Sequence, residues 1–243
     1  MSLGMFCAIP LPYHLWDDSC TNLMLSCFPI IGILLGAIWW GLAELLMLGA
    51  MHIAVVAAIL TVTPFLLTGF LHLDGYMDTS DAVLSRRPLE DKLRILKDPH
   101  KGAFSVIMVS VLFILQFAAV YAVVDTGKTL LPLVFISVMS RCCASISLLS
   151  LNAMQQSGYA NMFKKNTRVS HKVFVIALTV ATAAASYLFA GRTGLVTVFS
   201  AVIGFIGAMA YSYKEFKGVS GDLTGFSLVI SELCGLIALG VVQ

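Results

Sequence analysis

Three aspartates, Asp74, Asp78 and Asp81, stand within eight residues at the end of a long apolar run. The stretch reads Leu71-His72-Leu73-Asp74-Gly75-Tyr76-Met77-Asp78-Thr79-Ser80-Asp81. At about 100° per residue, a helix would place the three carboxylates within an arc of roughly 60°. Three like charges on one face repel, and burying them unpaired is costly. A hard divalent cation relieves both problems, so the spacing predicts a site for Mg2+, with Mn2+ also fitting, on Asp74, Asp78 and Asp81. The competing reading is a solvated acidic face in a loop. The position at the edge of an apolar segment favours the metal site. Gly75 leaves room beside Asp74 for backbone or substrate to approach. His72 reads as a hydrogen-bonding neighbour, since oxygen ligands suit Mg2+ better than imidazole does.

The elements that would hold this stretch are apolar. The chain has 243 residues, 59% hydrophobic and 12% charged, against about 25% charged in ordinary soluble domains. This predicts an all-α, polytopic membrane bundle of about seven transmembrane segments, forming one domain over residues 1–243. The segments are expected near 25–48, 53–70, 104–124, 130–149, 173–189, 195–211 and 226–242. The last three are short, so a re-entrant piece among them is compatible with the pattern. Residues 1–22 hold Pro10, Pro12, Asp17 and Asp18 and are expected at the interface or folded over the site. They open without Lys or Arg, so no signal-peptide n-region is expected. A net charge of +2 excludes the basic balance of a nucleic-acid binder. The six cysteines form no CxxC pair and read as reduced packing thiols.

The fifteen basic residues are unevenly divided. Twelve fall in alternate loops: Arg86, Arg87, Lys92, Arg94, Lys97, Lys101, Lys164, Lys165, Arg168, Lys172, Lys214 and Lys217. Lys128 and Arg192 fall on the other side, and Arg141 lies inside a span. The positive-inside rule places the larger group, and the aspartates with it, on the cytoplasmic face of the cell membrane. Within the loop 82–103, Leu89, Leu93 and Leu96 share a face, so an amphipathic surface helix is expected there, as a lipid anchor or a basic lid. Arg141 should either face a cavity or pair with Glu44 or Glu232. Asp222, between glycines, could cap the last helix or reach the site.

Carboxylates beside many cations suggest phosphoryl transfer. The sequence has no Walker A loop, GxGxxG, HExxH or GxSxG, which removes support for P-loop, dinucleotide, zinc-protease and serine-hydrolase readings. The pattern His72-x-Asp74-Gly75-x-x-Asp78-Thr79-x-Asp81 resembles the signature of the cobalamin synthase family, the adenosylcobinamide-GDP ribazoletransferases. Arg86-Arg87, Lys97-Asp98-Pro99-His100-Lys101-Gly102-Ala103 and Gly218-Val219-Ser220-Gly221-Asp222-Leu223-Thr224-Gly225 are similar to its later motifs. Arg141 and Ser157-Gly158-Tyr159 look similar as well. Departures are Ala82 where many members have Gly, Cys7-Ala8-Ile9 before Pro10 where many carry Arg, and Pro99-His100-Lys101 in place of a Ser-Arg-Ile-like run.

The resemblance implies transfer of a corrinoid phosphate from adenosylcobinamide-GDP to α-ribazole or its 5′-phosphate, with release of GMP. It implies His72, Gly75, Arg86, Arg87, Lys97, Asp98, Lys101, Arg141 and Asp222 as substrate contacts around the catalytic aspartates. The expected partners are these small molecules and the lipid bilayer, with no nucleic acid; a homo-oligomer is compatible. A CDP-alcohol phosphotransferase is disfavoured because no Arg follows Gly75 in the required place. A cation-coupled transporter is disfavoured because the acids gather at one membrane edge.

The orientation has a direct test in a cysteine-free background. Lys128→Cys or Arg192→Cys should react with an impermeant thiol reagent in intact cells, and Asn166→Cys only after the membrane is opened. The opposite labelling would reverse the topology.

Overall fold

The computed structural model describes residues 1–10, 21–154 and 167–242. The described residues form helices α1 (Ser2–Phe6), α2 (Thr21–Met47), α3 (Ile53–Leu67), α4 (Leu71–Leu84), α5 (Leu89–Ile95), α6 (Ala103–Asp125), α7 (Pro132–Ser150), α8 (Val169–Phe216) and α9 (Gly221–Val242). Among them the sole extended pairing is an isolated parallel bridge between Ala153 and Val219. It joins the chain after α7 to the chain after α8 and so fixes two loop ends together. Ser157, Gly158, Tyr159, Lys164 and Lys165 lie outside the described residues, as do Pro12, Asp17 and Asp18.

The bundle is a membrane architecture. α7 is buried along most of its length, packed by α2, α8 and α9. α6 and α8 instead show apolar side chains outward, among them Ile107, Ile114, Phe174, Val180, Leu188 and Phe199. A helix apolar on its outer face belongs against hydrocarbon.

Backbone hydrogen bonding explains how two prolines are tolerated inside spans. Pro29 in α2 and Pro64 in α3 have no N–H, which orphans the carbonyls of Leu25 and Leu60 four residues before them. Each carbonyl finds a donor on another helix. The Ser145 hydroxyl of α7 donates to Leu25 O at 2.7 Å, and the Trp39 indole of α2 donates to Leu60 O at 2.9 Å. Trp39 is therefore a buried cross-helix donor, while Trp40 donates to Glu44.

Arg141 follows the same logic. Its guanidinium, 1% exposed, meets Glu232 of α9 at 2.6 Å and also donates to Ser137. Of the two roles open to Arg141, the structure shows the pairing, and the partner is Glu232.

Counted by helix length and composition alone, the spans number fewer than the expected seven, with α8 counted once although it is broken. Five helices among the described residues are long and apolar enough to span, or six if α3 and α4 are taken as one broken span. α3 has only 15 residues, and α4 leaves it at 91°. The turn is made by Gly69 and Phe70, at φ of 58° and 62°. One sharp bend thus lies directly before the aspartates. α8, at 48 residues, exceeds the roughly 20 needed to cross. It is broken at Gly191, where φ is 59° and ψ is −145°. A Cβ on Gly194 would strike the Ser186 carbonyl, so the chain folds back on itself there.

α5 is also placed differently. Leu89, Leu93 and Leu96 do face one way, but they pack on Ala82, Val83, Phe216 and Leu223 rather than on lipid. Lys92 on the same helix is buried and ion-paired with Glu215 of α8. The 82–103 loop is therefore strapped onto the bundle by its own apolar side.

The proline accounting gives a double-mutant test. Ser145→Ala leaves the Leu25 carbonyl unpaired and should destabilise the protein by about 1–3 kcal/mol. In a Pro29→Ala background the substituted residue supplies an intrahelical N–H donor, and the same change should cost much less. Equal losses in both backgrounds, measured by unfolding in mixed micelles, would contradict the pairing.

Candidate active site

α4 carries the aspartates as the sequence predicts, and its other face anchors it. Leu73 and Tyr76 pack with Phe65, Leu112, Val229 and Leu233. Tyr76 stacks on Phe226 of α9 with ring centroids 5.5 Å apart and donates to Met108 O. The acidic face is thereby held toward solvent, with Asp74 exposed and Asp78 and Asp81 partly covered.

The crossing of α4 and α9 is made by backbone contact. A Cβ on Gly75 would lie 2.9 Å from the Asp222 carbonyl oxygen and 3.0 Å from its Cα. A Cβ on Gly225 would lie 3.3 Å from the His72 carbonyl oxygen. Each helix contributes a glycine at the other's backbone, so the approach to Gly75 expected from the sequence is made by Asp222. This places Asp222, in the first turn of α9, within range of the charges of Asp74 and Asp78.

Lys101 closes the cluster. Its ammonium bridges Asp74, at 2.7 Å, and Asp78. Partial burial works against the charged form of Lys101. Hydrogen bonds and the charges of the two carboxylates outweigh it and hold the pKa above the usual lysine value. Asp81 stands apart from this pair, with its carboxylate over the Cα of Gly102, where a Cβ would collide with it. Asp98 turns to its own loop: it accepts from the His100 backbone N–H and meets the His100 ring, both at 2.9 Å. Those contacts hold its carboxyl below the ordinary value. Arg86, Arg87 and Lys97 are exposed on the same loop, and no ion pair holds them among the described residues.

His72 lies on the opposite flank of α4 from this charged face. It is 8% exposed, and its Nε2 has no hydrogen-bond partner among the described residues. It lines a cavity of about 330 Å3 between α1, α2, α4, α7 and α9, which Asp222 also borders. α1 thus supplies part of the cavity wall, with Met5 and Phe6 lining it and Phe6 against Phe28. Arg141 is close enough for its charge to act on His72, and its guanidinium stands 5.8 Å from the Phe28 ring. It reaches this region from below as part of the Glu232 pair.

No three Asp, Glu, His or Cys side chains among the described residues converge to hold one ion. Asp74 and Asp78 do converge, on the Lys101 ammonium, with oxygen donors only. Mg2+ commonly takes one or two carboxylates and completes its shell with substrate phosphates and water. The Asp74–Asp78 pair fits that kind of site, whereas a three-carboxylate cage is not formed.

Sequence reasoning missed Phe6, Phe28 and Leu148, because residues of this kind at membrane depth carry no chemical signature. It also missed the contact of Gly102 with Asp81, although Gly102 stands in the Lys97-to-Ala103 motif.

Comparison with known proteins agrees with the motifs. A model of the family described as cobalamin-5-phosphate synthase matches residues 1–240. A Clostridium botulinum (strain Alaska E43 / Type E3) protein named adenosylcobinamide-GDP ribazoletransferase is 37% identical, over 98% of this chain and 94% of its own. A Clostridium perfringens (strain 13 / Type A) protein of the same name is 37% identical over 100% and 96%. No solved structure matches.

The two site glycines should respond differently to alanine. Gly75→Ala drives a Cβ into the Asp222 backbone, which cannot rotate away, and should lower stability by about 1–3 kcal/mol and remove activity. Gly102→Ala meets only a carboxylate that can swing aside. It should keep the melting temperature within a few degrees and still lose turnover, because Asp81 is displaced. Full activity of Gly102→Ala would exclude a need for Asp81 at its present place.

Proposed function

The chain belongs to the cobalamin-5-phosphate synthase family, and from that membership we infer that it is an adenosylcobinamide-GDP ribazoletransferase. It is a membrane transferase of cobalamin nucleotide-loop assembly. The observation that carries the chemical reading is the gathering of Asp74, Asp78, Lys101 and Asp222 at one end of the bundle. A pyrophosphate linking two bulky groups needs counter-charge on both sides of the reacting phosphorus.

In this reading a ribose hydroxyl of α-ribazole, or of its 5′-phosphate, attacks the corrinoid-side phosphorus of adenosylcobinamide-GDP. An oxygen–phosphorus bond forms, the bond from that phosphorus to the bridging oxygen breaks, and GMP leaves with that oxygen. The hydroxyl proton passes to a site carboxylate or to water. Asp74 and Asp78 would hold Mg2+ or Mn2+, which when bound neutralises pyrophosphate charge. Lys101 then exchanges its carboxylate partners for phosphate oxygens, and Arg86, Arg87 and Lys97 hold the non-reacting ones. Gly75 and Tyr76 keep α4 rigid on α9, so the acids stay in place as charge moves. Asp98 positions the loop that carries Lys101.

The site end faces the cytoplasm in this reading, in the cell membrane. The uneven spread of basic residues supports it.

Thr79 and Ser80 are the hydroxyls of the motif, and both are buried with no carboxylate or imidazole bonded to them among the described residues, so transfer is direct and in line. The test uses adenosylcobinamide-GDP made chiral at the corrinoid-side phosphorus, incubated with α-ribazole and Mg2+. Inversion in the product, GMP as the released nucleotide and loss of turnover on chelation are expected. Retention would require a covalent intermediate, and GDP in place of GMP would mean that a different bond breaks.

A further inference from the structure

The cavity beside His72 has a chemistry that phosphate transfer does not call on. Phe6, Phe28 and His72 form a run of rings along one wall, with centroids 4.3 Å apart between the phenylalanines and 5.7 Å from Phe28 to His72. Leu148 and Leu228 complete an apolar lining. Its volume of about 330 Å3 lies at the lower end of ligand cavities, which run from about 300 to 1,000 Å3. That admits one bicyclic ring with part of a sugar and excludes a macrocycle.

The polar groups are few. The Thr224 hydroxyl is already turned to the Ser220 carbonyl, at 2.7 Å. His72 is more than nine-tenths buried, and its Nε2 is unpartnered among the described residues. Asp222 borders the cavity and belongs also to the charged cluster. A lipid tail would leave the buried imidazole without a partner, which is costly. A flat heterocycle with a ring nitrogen would give it one.

We propose that this cavity binds the base of the incoming nucleoside, a planar bicyclic nitrogen heterocycle. The base lies against Phe6 and Phe28 with a ring nitrogen hydrogen-bonded to the His72 side chain, and Asp222 accepts from a ribose hydroxyl at the rim. The proposal rests on the transferase reading above and goes beyond it by separating the two substrates in space. The corrinoid phosphates lie over Asp74, Asp78 and Lys101, and the acceptor base lies on the other flank of α4. Asp222 stands where the two meet. Phe6, on a five-residue helix, then sets which base sizes are accepted.

The full-length protein in detergent micelles allows two independent measurements. One is equilibrium binding of α-ribazole alone, followed by its benzimidazole fluorescence. The other is initial-rate kinetics with each substrate varied. Leu148→Phe fills the cavity and should weaken α-ribazole binding and raise its KM about tenfold or more, the scale of one lost base–ring stack. The KM for adenosylcobinamide-GDP should stay within about twofold of wild type on the same reckoning. Phe6→Ala enlarges the cavity and should shift preference from benzimidazole toward naphthimidazole nucleosides, a change that misfolding does not produce. Unchanged nucleoside binding and base preference in both variants, with wild-type turnover intact, would overturn the cavity proposal and leave the transferase reading standing. Nucleoside binding that depends on the cavity, without any transfer to the corrinoid, would overturn the transferase reading alone. Absence of both binding and transfer in the wild type would overturn both.

Discussion

The site depends on how closely α4 can lie on α9. Two glycines, Gly75 and Gly225, each face the backbone of the other helix, so the contact is backbone against backbone. Such packing has no side chain that can yield, and interiors transmit such displacements rather than absorbing them. The crossing sets three things at once. It turns the acidic face of α4 outward, brings Asp222 to the carboxylates, and puts His72 on the far flank. A wider crossing would separate the two halves of the site.

The remainder of the bundle is shaped by the need to satisfy polar groups in hydrocarbon. Proline in α2 and α3 frees carbonyls, and a hydroxyl and an indole from neighbouring helices receive them. Arg141 and Glu232 neutralise each other between α7 and α9, with Ser137 and Ser140 filling further hydrogen bonds. A buried pair of this kind is weak as a source of net stability, yet it permits only one arrangement of its helices. These cross-links tie α2, α3, α7 and α9 together beneath the cavity and give the site a fixed floor.

At the site end charge is handled differently. Asp74 is exposed and Asp78 partly covered, and Lys101 supplies the cation that keeps them together. Lys101 comes from the loop that α5 straps to the bundle through Leu93, Leu96 and the Lys92–Glu215 pair. The apolar face of α5 thus positions a charge over the acids, which couples a loop helix to the chemistry.

By itself the sequence determined the class of this protein and the address of its chemistry. Composition required a membrane bundle, because so few charges cannot cover a soluble surface. The spacing of Asp74, Asp78 and Asp81 required a shared helical face, because helix geometry is local. Motif resemblance pointed to the family that the comparisons then identified. Tertiary structure decided what no local rule reaches. Asp81 shares the helix face and yet lies over Gly102, because the loop that returns into α6 intervenes. Arg141 paired with Glu232 although Glu44 was equally available from sequence, since the part of α2 beside Arg141 is Gly32, and Glu44 lies about three turns further along that helix. The leucines of α5 read as membrane-facing, because periodicity reports an apolar face and not what covers it. The cavity of Phe6, Phe28 and His72 was invisible because its walls come from helices far apart in the chain. Their meeting depends on the α4–α9 crossing and on the placement of α1.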